Sequence, residues 1–169
     1  MAYKLLVLMI FCAALAGCAA PGRAPADARS SSAVEPRRPA PSSDRSEALL
    51  IALMALGVDY RFGGNSGATG FDCSGLVVYV YEEAYGIRLP RTVIAQSETG
   101  SAVGTQDLEP GDLLFYDTLG RPYSHVGIYL GDGKFVHAPK TGSTVRVESL
   151  RSTYWTKRFN GARRIEIRL

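Results

Sequence analysis

Cys73 lies in Phe71-Asp72-Cys73-Ser74-Gly75, and the two histidines of the chain, His125 and His137, follow it. A thiol with imidazoles in reach is the raw material of a nucleophile activated by a base. The other two cysteines leave Cys73 without a disulfide partner, because Cys12 sits inside an apolar N-terminal run that reads as an export signal and Cys18, just after it, sits where a lipid would be attached to its sulfur. If Asp72 caps a helix, Cys73 occupies its first turn, where unpaired N–H groups and the helix dipole favour a thiolate. On this reading the thiol ionises well below its ordinary value of about 8.5 and alkylates near pH 6. The same N–H groups, Cys73's own included, are placed to bind the oxyanion formed by attack on a carbonyl.

The histidines flank Leu130-Gly131-Asp132-Gly133-Lys134, which is hairpin chemistry. A three-residue loop Gly131-Asp132-Gly133, with Gly133 left-handed, pairs Leu130 with Lys134 and Gly127 with His137. His125 and His137 then fall on one face as diagonal neighbours, with Cβ atoms about 7 Å apart. One ring can act as base while the other orients it.

The elements that must position these groups follow from pattern. Ser43 or Asp44 is placed to cap a first helix over residues 48–56, with Gly57 as its stop. Residues 76–85 are β-branched and aromatic, which favours a strand on propensity. Their length, the Glu82-Glu83-Ala84 ending and Gly86 predict a buried helix instead. A short helix is predicted over 92–98, and strands over 112–116, 125–130, 134–138, 145–149 and 163–168. Helices first and strands afterwards predict an α+β fold with the nucleophile helix packed on a central antiparallel sheet.

Residues 1–17 read as an export signal: Lys4, then an apolar run from Leu5 to Leu15, too short to span a bilayer comfortably. Leu15-Ala16-Gly17-Cys18 resembles the bacterial lipobox, which implies cleavage before Cys18 and lipid on its sulfur and new amino end. Ordinary secretion, with cleavage near Ala19 or Ala20, is the alternative. Ala19 is not the aspartate that retains such lipoproteins at the inner membrane, so the expected location is the outer membrane, periplasmic face. Residues 18–45 carry five of the nine prolines (Pro21, Pro25, Pro36, Pro39, Pro41) among Ala, Ser and Arg. Such a stretch cannot bury enough apolar surface to order itself, and as a coil it spans about 30 Å, the reach of a tether. Residues 46–169 then form one catalytic domain, expected to be monomeric. Losing residues 1–17 removes Lys4 alone among charged groups, so the formal net charge of +3 becomes +2. That is too small to argue for nucleic acid as a partner. Lys157, Arg158, Arg163, Arg164 and Arg168 make a cationic end that could lean on an anionic wall or be ordinary surface.

Six blocks give a specific resemblance: Tyr60-Arg61-Phe62-Gly63-Gly64, Phe71 to Leu76, Leu89-Pro90-Arg91, Leu108 to Leu113, Ser124 to Tyr129 and Phe135 to Ala138. In that order they resemble the NlpC-type (p-sixty) cell-wall cysteine peptidases across nearly the whole domain. The resemblance implies a reduced papain-like fold and cleavage of peptide bonds in the stem peptides or cross-links of peptidoglycan. It implies Cys73 as nucleophile, His125 as general base, His137 as the polar residue that fixes the imidazole, and Tyr60 as a hydroxyl beside the oxyanion. Asp72 and Ser74 match residues that grip the free amine of a stem peptide in some members. Asp72 as a helix cap and Tyr60 as a core aromatic remain open beside those roles.

No metal or other cofactor is required by a thiol mechanism. Two other readings use the same residues. Cys73, His125 and His137 could be three ligands of a catalytic zinc, although no acidic base with zincin spacing accompanies them. A wall-binding lipoprotein without catalysis is the second, against which stands the presence of every reactive residue.

Overall fold

The computed structural model describes residues 45–167. The expected signal, Cys18, the tether, the proposed caps Ser43 and Asp44, and Arg168 lie outside the described residues. In chain order the elements are α1 (Ser46–Met54), β1 (Asn65–Ser66), β2 (Gly70–Phe71), α2 (Cys73–Tyr85), α3 (Val93–Ser97), β3 (Ser101–Val103) and β4 (Leu113–Tyr116). They continue with β5 (His125–Gly131), β6 (Lys134–His137), β7 (Arg146–Ser149), α4 (Thr153–Thr156) and β8 (Phe159–Arg164). Strands β3-β8-β4-β5-β6-β7 form an antiparallel sheet in that order, and β1 pairs with β2 beside it. Among the described residues no helix is long and apolar enough to cross a membrane.

Residues 76–85 are helical despite their β-branched composition, because tertiary burial and end chemistry outweigh propensity. Asp72 caps α2 by accepting from Gly75 N at 2.7 Å, and Gly86 ends it with φ +67°. Leu76, Val77, Val80, Tyr81 and Ala84 form the buried stripe of this helix. They pack on Leu113, Phe115, Val126, Ile128 and Val136 from the sheet, each large side chain contributing about 1.5–3 kcal/mol by leaving water. A second cluster of Leu114, Tyr116, Phe135, Trp155 and Ala162 lies on the alternate residues of β4 and β6, as the period of two requires. Gly75 admits the loop before α2: a Cβ there would collide with the carbonyl oxygen of Gly64.

Three expectations are corrected. The hairpin between the histidines closes on Gly131 and Lys134 through a two-residue turn, with Asp132 at φ 52° and Gly133 at φ 71°. Positive φ at both positions is the type I′ geometry that matches strand twist. A register shift between Tyr129 and Gly131 then restores Tyr129–Phe135 and Ile128–Val136, the expected pairs. The bulge compensates for the shorter turn, so the histidines still share a face. The last strand runs over Phe159–Arg164 rather than 163–168, and it is interrupted by Gly161 at φ 143°, facing the register shift at Phe115/Tyr116. The first helix starts at Ser46 and ends at Met54, earlier than the apolar run suggested, and its N-cap residue Arg45 makes no side-chain capping bond.

The Leu108 to Leu113 block is structural. Asp112 is fully buried and accepts from Arg164 at 2.9 and 2.8 Å and from Glu109 N at 2.8 Å. Arg163 donates to the Ser97 carbonyl, and Arg158 stacks 3.9 Å over the Tyr154 ring. The cationic C-terminal end is thus largely engaged within the chain.

Candidate active site

The capping bond of Asp72 places Cys73 as the first residue of α2, half-buried, with its sulfur reached by the backbone N–H groups of Cys73, Ser74 and Val126. Val126 follows His125 on β5, so the thiol lies against the strand that carries the candidate base. His125 Nε2 and His137 Nδ1 are 2.7 Å apart with their rings nearly perpendicular at 86°. That bond occupies Nε2 of His125 and leaves Nδ1 as its other ring nitrogen. Both histidines are buried, and His137 Nε2 has no partner among the described residues.

Electrostatics correct the thiolate expectation. Burial, and then the charge of Asp72, push the Cys73 thiol up to about 11, against the pull of the three N–H groups. Burial pushes His125 down to about 4. Burial, the neighbouring His125 and the Arg146 cation push His137 down to about 2. The helix-start effect exists in the expected direction, but desolvation of each charged form exceeds it. Both shifts favour the neutral forms, a thiol at Cys73 and an imidazole at His125. Alkylation of Cys73 by iodoacetamide should therefore climb with pH beyond about 8.5, the value of an ordinary thiol. A rate plateau around pH 6 would show a resting ion pair.

Two nitrogens bound to one tetrahedral zinc at about 2.0–2.1 Å stand about 3.3 Å apart with their lone pairs aimed at the metal. The 2.7 Å contact instead aims the imidazole nitrogens at each other. Among the described residues no group of three or more His, Cys, Asp or Glu is arranged to hold a metal ion. This donor geometry suits a hydrogen-bonded relay.

Tyr60 is half-buried beside the thiol. Burial, then the charges of Cys73 and Asp72, raise its hydroxyl pKa. Its backbone is fixed by donation to the Ser143 carbonyl at 2.8 Å and by a bridge to Phe71.

Asp72 and Ser74 are held within the chain. Arg91 donates to Asp72 Oδ1 and Oδ2 at 2.9 and 2.7 Å and to Ser74 Oγ at 2.8 Å. Gly63 N donates to Asp72 Oδ2 at 2.9 Å, beside the capping bond from Gly75. Burial alone would raise the Asp72 pKa, but the bonds and charge of Arg91, with the two backbone donors, lower it. A substrate amine gripped here has to compete with the guanidinium.

The family model described as NlpC/P60 matches residues 57–164, which contain all of these side chains. The chain belongs to the NlpC/P60 family. It is 42% identical over 116 residues to murein DD-endopeptidase MepH of Escherichia coli strain K12, covering 67% of this chain and 43% of that protein. It is 41% identical over 112 residues to gamma-DL-glutamyl hydrolase of Bacillus subtilis strain 168, covering 66% of this chain and 27% of that protein. The chain thus spans less than half the length of either. An NlpC/P60 family structure from Bacillus cereus superposes with TM-score 0.69 at 34% identity, covering 73% of this chain and 41% of that one. The α+β fold read from the pattern of elements, and the reduced papain-like form that the resemblance implies, are the fold observed.

Two neighbours of the candidate site residues escaped the sequence reading. Arg91 ends the Leu89-Pro90-Arg91 block, one of the six that carry the family resemblance, but no role at the site was read for it. Trp155, the sole tryptophan, was visible as a type but not as a neighbour. Its ring stacks on His125 at 27° and 5.7 Å and meets His137 edge-on at 5.0 Å. Trp155 Nε1 donates to Glu148 Oε2 at 3.3 Å, which fixes the indole over the imidazole pair.

Proposed function

We propose that this protein is a cysteine-type peptidoglycan endopeptidase, hydrolysing peptide bonds in murein stem peptides or cross-links through Cys73, His125 and His137. The observation that carries this reading is the His125–His137 bond on β5 and β6, set against a helix whose first residue is the half-buried thiol. The murein DD-endopeptidase name of the relative in E. coli supports the substrate class.

The mechanism follows from the neutral pair. His125 Nε2–H donates to His137 Nδ1, so Nδ1 of His125 is free to take the thiol proton as sulfur attacks the scissile carbonyl. The thiolate and imidazolium arise together, each stabilising the other, where neither would form alone. The Cys73 N–H and the Tyr60 hydroxyl hold the oxyanion. His125 then protonates the departing amine, the tetrahedral adduct collapses to a thioester, and a water deprotonated by His125 releases the acid. No metal enters any step.

Intact sacculi digested with the full chain should yield peptide fragments that mass spectrometry assigns to cleaved stems or cross-links, while Cys73→Ala yields none. A chelator should leave turnover in place and a thiol alkylator should abolish it. Product formation by folded Cys73→Ala would refute the thiol mechanism, and no products from the parent would favour a silent wall-binding protein.

The proposal includes a lipid anchor at Cys18 that holds a monomeric domain at the periplasmic face of the outer membrane. Supporting it are the four-residue lipobox match at positions 15–18 and the proline-rich stretch after it. Cys18→Ala should move the protein from the membrane to the soluble fraction with its domain activity intact. Retention of the variant at the membrane, processed at the same site, would exclude the anchor.

A further inference from the structure

A cavity of about 420 Å³ opens beside the base, with His125 in its wall. Among the described residues His125 lines it and Cys73 does not. Trp155, Pro139 and Leu119 give it apolar surface, while Lys140 and Arg146 put two cations into its rim. Arg146 pairs directly with His137 across β6 and β7, which sets its side chain on the same face as the imidazole pair. Glu148, two residues on, shares that face. Its Oε1 accepts from Arg146 Nε at 2.8 Å and pairs with Nη2 at 2.8 Å, and its Oε2 holds the Trp155 indole. The carboxylate thus fixes one side of the guanidinium. Arg146 Nη1 and the whole Lys140 ammonium make no hydrogen bond or ion pair among the described residues. With Lys140 and Arg146 against Glu148, the rim keeps an excess of one positive charge.

The side of the cavity identifies its occupant. In acyl transfer the acyl part bonds to sulfur, whereas the amine leaves by taking a proton from the imidazolium. A cavity walled by His125 and separate from Cys73 is therefore on the leaving side. An amino-acid residue that leaves as an amine carries its carboxyl group on the carbon next to that nitrogen. Inside a linear chain that carboxyl group is taken up in the next peptide bond, but the residue whose side-chain amine closes a cross-link keeps it free, and its charge then meets the cavity that Lys140 and Arg146 line.

We propose that this cavity is the leaving-side subsite, and that it selects residues bearing a free carboxylate next to the departing amine, read by Lys140 and Arg146. The inference rests on the endopeptidase reading and specifies its substrate. A carboxamide at the same place keeps the shape and loses the charge, so the site should discriminate between the two.

The test is equilibrium binding to the full chain carrying Cys73→Ala, which cannot turn substrate over. The probes are a cross-linked pair of murein stem peptides with a free carboxylate beside the cross-linking amine and the same pair with that group as its carboxamide, measured by calorimetry. The free acid should bind about tenfold more tightly at low salt, the scale of one charge-assisted hydrogen bond. Adding Lys140→Gln and Arg146→Gln together should bring the two probes to within about twofold of each other. Because Arg146 also engages Glu148, Lys140→Gln alone is the second arm, and it should cut the preference about threefold without disturbing Trp155. Equal binding of acid and amide to the Cys73→Ala chain, or a preference undiminished in both variants, overturns this inference and leaves the endopeptidase reading standing. Binding of neither probe overturns both.

Discussion

Replacing His125 with glutamine is expected to remove nearly all turnover, about 10³-fold or more in kcat/KM, because no amide can carry the proton from sulfur to the departing amine. His137 has a smaller task. In the proposed mechanism its Nδ1 accepts one bond from His125 Nε2, at 2.7 Å, and thereby keeps the proton off Nδ1 of His125, the nitrogen that acts as base. An asparagine at 137 puts an amide oxygen near the position of Nδ1 and can accept the same bond. It also removes His137 Nε2, a buried nitrogen without a partner. His137→Asn or His137→Gln should therefore retain activity within about tenfold, the worth of one ordinary hydrogen bond. His137→Ala, which deletes the acceptor and opens space beneath Trp155, should fall well below either amide. The comparison is kcat/KM on one muropeptide, after thermal melts have shown each variant to be folded. If folded His137→Asn is as inactive as His125→Gln, the two rings share the proton and the division of roles is wrong.

What the sequence disclosed follows from how local each cause is. The N-cap of Asp72 and the left-handed Gly86 act within a turn of the residues they control, so both ends of α2 were legible. The pairing of the histidines was legible too, although it is reached through a type I′ turn and a bulge instead of the longer loop. Both routes produce the same register, and the apolar alternation of β5 selects that register over its neighbours. β3 and α4 were not legible. β3 is three residues long and exists through its pairing with β8, while α4 spans four residues and is fixed by burial of Trp155. Arg91 reaches Asp72 from nineteen residues away, a contact no spacing rule contains. The thiol was misjudged for the same reason: the helix-start field is local and readable, whereas burial is tertiary and opposes it.

Acid should destabilise the fold in a window set by the two histidines. In the unfolded chain an imidazole titrates near 6.5, but His125 in the fold is pushed down to about 4 and His137 to about 2, with burial the first cause for both. A group with a depressed folded pKa contributes its full stability above the unfolded value and loses it as pH falls through the folded one. Between pH 6.5 and 4 the unfolded state binds protons that the folded state refuses, so stability falls across that interval. For His125 alone the loss by pH 4 is about 3 kcal/mol, or about 10 °C in Tm for a domain of this size. His137 adds to the loss, since Arg146 and a protonated His125 both oppose its charging. Asp72, whose carboxyl is held low, loses its contribution only below the ordinary carboxylate value of 3.8, so the two windows separate. Melts of the parent and of the double variant His125→Gln/His137→Asn at pH 7, 5.5 and 4.5 provide the check. The parent should lose most of its decrement between pH 6.5 and 4.5, and the double variant should be nearly flat there. An undiminished acid decrement in the double variant would place the sensitive groups elsewhere and contradict the neutral, buried imidazole pair on which the general-base mechanism depends.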